Sequence, residues 1–86
     1  MYCLALFDSG NYAFRLCKIL ETKGYVFEVI STPCQIAKGG CGYSLKFPIE
    51  YLDIIVSEAV SSRMYIREVY KIIPMFSKNK YEKMYI

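Results

Sequence analysis

The sequence predicts an α+β fold: a ferredoxin-like plait of order β-α-β-β-α-β, with a four-stranded antiparallel sheet and two helices on one face. Three observations carry this expectation. Two stretches, Ala13–Leu20 and Leu52–Ala59, repeat apolar residues at helical spacing. Four short runs rich in strand-forming residues surround them. Turn and cap residues stand at the joints between the runs. Right-handed crossovers through the two helices then close the sheet most simply.

The elements follow in order. Met1–Phe7 is an apolar run that reads as the first strand, stopped by Asp8, Ser9 and Gly10. Asp8-Ser9-Gly10-Asn11 is turn and helix-cap chemistry. Ala13, Leu16, Cys17 and Leu20 then form one helical face, with Arg15, Lys18 and Glu21 on the wet side. Gly24 marks the end of that helix. Tyr25–Ile30 reads as the second strand. It offers Val26 and Ile30 in the opposite phase to Phe27 and Val29. Ser31–Gly42 is a loop with one proline and three glycines. Tyr43, Leu45 and Phe47 alternate with Ser44 and Lys46, which predicts a third strand with a dry and a wet face. Pro48 suits the first turn of a second helix carrying Leu52, Ile55, Val56 and Ala59. Tyr65–Ile73 reads as the fourth strand, ended by Pro74. The expected organisation is one domain over residues 1–73 and a basic, aromatic C-terminal tail over residues 74–86.

Size and composition exclude much. Eighty-six residues leave no room for a two-domain enzyme. With no histidine, Ser-His-Asp and Cys-His catalysis and imidazole metal ligands are excluded. The net charge of +3 is mild. Five of the eleven cations, from Arg67 to Lys83, fall in the last twenty residues. A nucleic-acid binder carries a denser stripe, and an RNA-recognition plait places aromatics on its central strands together with its own motif. That motif is absent, and Tyr43 and Phe47 share the face of Leu45. The opening run lacks the basic leader of a signal peptide and the length of a membrane span. The expected compartment is the cytoplasm, where thiols stay reduced. The sheet face away from the helices has no evident cover, which points to a homodimer through that face or to the tail folding over it.

Four cysteines, at positions 3, 17, 34 and 41, fall into two groups. Cys3 lies in the first strand and Cys17 on the dry face of the first helix, where a free thiol packs as a small apolar group. Cys34 and Cys41 share the long loop, with six residues between them. Cysteine metal sites use pairs two to four residues apart, so no metal site and no cofactor is expected. Cys41 stands in Lys38-Gly39-Gly40-Cys41-Gly42. Glycines there allow close backbone approach, and successive N–H groups in a glycine turn can form an anion-binding concavity. With Lys38 and Lys46 nearby, such a setting favours the thiolate. The Ser31–Phe47 segment has neither histidine nor an acidic residue to act as base. An activated thiol without a base suits a group carrier or accessory protein better than a stand-alone enzyme. The other reading of the residues is a structural glycine turn with an incidental cysteine.

The run from Pro33 to Phe47 resembles the signature of the selenium/sulfur carrier protein-like family. Pro33, Cys41, Gly42, Leu45, Lys46 and Phe47 fit its pattern of a proline after the second strand, Cys-Gly, and a strand of the form Leu-Arg/Lys-Phe. The opening strand and the Ser9 turn into a helix fit as well, and the resemblance spans roughly residues 1–72. It implies that Cys41 carries sulfur or selenium as a persulfide or selenopersulfide between donor and acceptor proteins, supported by Lys38, Gly39, Gly40 and Gly42. Two positions depart from the pattern. Cys34 replaces a basic residue after the proline, and Lys38-Gly39-Gly40 replaces serines. Cys34 is either a resolving thiol for Cys41 or neutral drift. The alternative function is a non-catalytic dimeric binding or regulatory module of the same fold.

Overall fold

A computed structural model describes residues 1–37 and 42–86. The chain runs β1 (Tyr2–Phe7), α1 (Gly10–Thr22), β2 (Glu28–Ser31), β3 (Tyr43–Pro48), a 3-10 turn (Ile49–Tyr51), α2 (Leu52–Ser61), β4 (Ile66–Pro74) and β5 (Asn79–Met84). Two helices thus join an antiparallel sheet in the order β2-β3-β1-β4-β5. The sheet has five strands rather than the expected four. The fifth comes from the residues expected to form a tail. It pairs antiparallel with β4 from Val69↔Met84 to Pro74↔Asn79. Its sequence, Asn-Lys-Tyr-Glu-Lys-Met, has no apolar periodicity because it lies at the sheet edge. Charged residues on an edge strand oppose pairing with other chains, but they hide the strand from a search for buried patterns.

β1 is central and buried from Cys3 to Phe7, with no alternation, because both faces of the sheet are covered. Cys3, Ala5 and Phe7 meet α1, α2, Leu45, Phe47 and Val69 in the larger core. Leu4 and Leu6 meet Tyr70, Ile72 and Ile36 on the other face, with Ile30 and Tyr81 alongside. That face is therefore not bare. Its cover is the β2–β3 connection, through Ile36, while the C-terminal residues extend the sheet sideways and contribute Tyr81.

Local chemistry sets the helix ends. Ser9 is extended (φ −130°, ψ 137°), and its hydroxyl accepts the Asn11 N–H at 3.3 Å, capping α1. Gly24, at φ +92°, turns the chain out of α1, and the Tyr25 N–H donates to the Leu20 carbonyl at 2.9 Å. α2 ends in the same way on a residue that is not glycine: Arg63 has φ 58°, and the Met64 N–H reaches the Ala59 carbonyl at 2.9 Å. Pro48 closes β3 and caps the 3-10 turn, so α2 itself begins at Leu52 rather than at the proline.

Candidate functional site

The β2–β3 connection is the segment to which the sequence assigns chemistry. Its two ends are tied together. The Thr32 N–H donates to the Gly42 carbonyl at 2.8 Å, just beyond the Ser31↔Tyr43 pair. The Thr32 and Ser44 hydroxyls lie 2.6 Å apart. Ser44 is fully buried, which corrects the expectation of a wet position. Lying on the face roofed by the connection, it needs a polar partner, and Thr32 supplies one.

From Pro33 the chain makes one helical turn. The Pro33 carbonyl accepts the N–H groups of Ile36 at 3.1 Å and of Ala37 at 3.0 Å. The turn points Ile36 into the sheet and leaves Cys34 exposed as a free thiol. Lys38, Gly39, Gly40 and Cys41 lie outside the described residues. The site therefore stands on its two flanks, Thr32–Ala37 and Gly42–Ser44.

Gly42 is not in the left-handed region, and among the described residues a Cβ placed there would meet the Thr32 hydroxyl, at an ordinary 3.9 Å. Among the described residues, nothing packs closely enough to demand glycine at this position. Tyr43, expected in the core with Leu45 and Phe47, is instead about half exposed. Its ring meets Phe14 edge-on, with centroids 4.9 Å apart. That contact sets the start of β3 beside the amino-terminal half of α1. The first turn of α1 carries no acidic side chain, and Asp8 precedes its Ser9 cap. Lys46 is not brought to this end of the strand. It lies 4.9 Å from the centre of the Tyr2 ring and 4.0 Å from Glu28, about 13 Å along the strand from Gly42.

Two thiols fall out of consideration. Burial pushes the Cys3 thiol above its ordinary value of 9.0, against the opposing pull of Lys71. Burial also raises Cys17, with Glu21 adding to the effect, while its thiol donates to the Phe27 carbonyl at 3.4 Å. Both are neutral packing groups at physiological pH. Among the described residues, no group of three or more His, Cys, Asp or Glu side chains could hold a metal, and no helix is long and apolar enough to cross a membrane.

Sequence reasoning missed Thr32, Ser44, Ile36 and Phe14. A serine on an alternating strand reads as a wet position, and an isolated isoleucine in a loop has no period. Compared with known proteins, residues 2–71 match a family model described as "Putative Se/S carrier protein-like". The match takes in β1 through most of β4 and includes the whole β2–β3 connection, while β5 lies beyond it. No curated protein and no solved structure matched the chain.

Proposed function

The chain belongs to the putative Se/S carrier protein-like family, and from that premise we propose that it carries sulfur or selenium on Cys41. The observation that carries this reading is the burial of the alternatives. Cys3 and Cys17 are buried or part-buried thiols held neutral, which leaves the two loop cysteines, and only Cys41 is flanked by glycines. The first four strands and two helices are read as the ferredoxin-like unit, a reading supported by the order β2-β3-β1-β4 within the sheet.

The Cys41 thiolate attacks the terminal sulfur of a donor persulfide. The new S–S bond forms on Cys41 as the donor's S–S bond breaks, and the donor leaves as a thiolate that takes up a proton. An acceptor thiolate then attacks the terminal sulfur on Cys41 and restores the carrier. No net oxidation occurs, so no cofactor is needed, and selenium follows the same path. Lys38 and the N–H groups of Gly39, Gly40 and Gly42 stabilise the thiolate. Since no described residue packs against position 42 closely enough to require glycine, Gly42 is assigned to the approach of the partner's sulfur.

Trypsin separates the two loop thiols, since cleavage at Lys23, Lys38 and Lys46 places Cys34 and Cys41 in different peptides. After incubation with a cysteine desulfurase and cysteine, the peptide Gly39–Lys46 should gain about 32 Da, one sulfur atom. Cys41→Ser should abolish the adduct and Cys34→Ser should retain it. Gly42→Ala should fold normally and load more slowly. No adduct on the wild type, or an adduct that survives Cys41→Ser, removes the reading.

A further inference from the structure

A groove of about 510 Å³ runs between the Pro33–Ala37 turn and the tip of the β4–β5 hairpin. Ile36 and Tyr81 line its inner side, and Met75, Phe76, Lys78 and Lys80 line the hairpin side. We propose that this groove seats an acidic segment of a partner protein that carries a large apolar side chain.

Charge is the first argument. None of the described residues lining the groove is acidic. The neighbouring lysines are paired, Lys71 with Glu82 at 3.4 Å and Lys83 with Glu68 at 3.2 Å. Lys78 and Lys80 have no ion-pair partner among the described residues, so the tip holds uncompensated positive charge at the mouth of an apolar groove. Such a pattern draws in an acidic partner and orients it.

Exposed apolar surface is the second argument. Met75 is 57% exposed and Phe76 is fully exposed at the turn. A small molecule inside the groove would leave Phe76 in water, whereas a protein segment covers groove and tip together. The opposite wall belongs to the connection that carries Cys34 and Cys41, so a seated segment brings its protein alongside that connection. The groove does not depend on sulfur transfer. A peptide that binds while no sulfur moves keeps this proposal and removes the carrier reading, and the reverse result does the opposite.

The probe is a fluorescein-labelled octapeptide of Asp and Glu around a central Leu-Phe, titrated with the full chain by fluorescence anisotropy. Saturable binding is expected, with amide shifts in a two-dimensional NMR spectrum at residues 35–36 and 75–81. The Lys78→Glu/Lys80→Glu variant should lose affinity by about tenfold or more and gain affinity for the same core flanked by Lys and Arg. Phe76→Ser should weaken both. Phe76 and Lys78 lie at an exposed turn and Lys80 at an exposed position of the edge strand β5, so all variants should keep the wild-type circular dichroism spectrum. Non-saturable binding, equal affinity for wild type and double variant, or shifts confined to other faces would overturn the proposal. So would a single-stranded oligonucleotide that binds the same tip more tightly than the peptide.

Discussion

The hydroxyls of Thr32 and Ser44 lie 2.6 Å apart across the mouth of the β2–β3 connection. Ser44 is buried and Thr32 is part-exposed, so the pair is asymmetric. Water can replace Ser44 as a partner for Thr32 but cannot readily replace Thr32 for Ser44.

The asymmetry makes the first prediction. Thr32→Val strands a buried hydroxyl and should cost about 1–3 kcal/mol, while Ser44→Ala should cost less. The double replacement should cost less than the sum of the singles. Urea denaturation of the three variants measures all these terms, and equal effects of the two singles would contradict the account.

Ile36 anchors the connection on Leu4 and Leu6. Ile36→Ala should cost about 2–4 kcal/mol, since a buried branched side chain is removed from a packed face. The variant should also bind more 8-anilinonaphthalene-1-sulfonate, because the second sheet face loses its cover. Unchanged stability and dye binding would mean that the turn is not an anchor.

The cysteines titrate the fold. Iodoacetamide at pH 8 should modify Cys34 while sparing Cys3 and Cys17, and denaturant should release both. The folded values of Cys3 and Cys17 lie above the ordinary 9.0. The unfolded chain therefore loses these protons first as pH rises. Their contribution to stability is complete below about pH 9 and declines as pH climbs through the folded values. Cys17→Ala should flatten that alkaline decline in a melting series from pH 7 to pH 11.

Arg63 holds φ 58° at the end of α2, a conformation that costs an L-residue about 1 kcal/mol. Arg63→Gly should stabilise the protein by roughly 0.5–1 kcal/mol, as glycine takes the left-handed cap without a Cβ clash. A loss of stability in urea would show that the arginine side chain makes up for its backbone.

Removal of residues 75–86 should leave a folded but weaker domain. β4 would become an edge strand, and Tyr81 and Met84 would leave the cores they touch. Light scattering should then detect self-association through that edge. A monomer with an unchanged melting temperature would mean that β5 adds nothing.

The elements with strong periodicity were legible in the sequence. α1 was readable from Ala13, Leu16 and Leu20 and from its Ser9 cap, and β3 from Leu45 and Phe47. β5 was not, because its partner on β4 supplies backbone hydrogen bonds that need no apolar pattern. The sequence singles out Cys41 in a glycine-rich loop, and residues 38–41 lie outside the described residues. The closure of that loop was not, since it depends on Ser44 and Ile36 meeting residues far along the chain. Tyr43 had the right phase for the core, yet at the first position of its strand it meets Phe14 at the surface instead.

The central place of β1 also bears on how the protein is made. Its two partners, β3 and β4, follow it by tens of residues. A strand apolar on both faces must therefore wait on the ribosome while α1, β2 and the thiol-bearing connection are synthesised. Until Ile66–Pro74 emerges, one edge of β1 has no partner. Such long-range closure slows folding and leaves nascent chains open to sticking. Slow codons near the start of β4 would prolong this interval, and a chaperone that binds short apolar strands would find its target in Tyr2–Phe7.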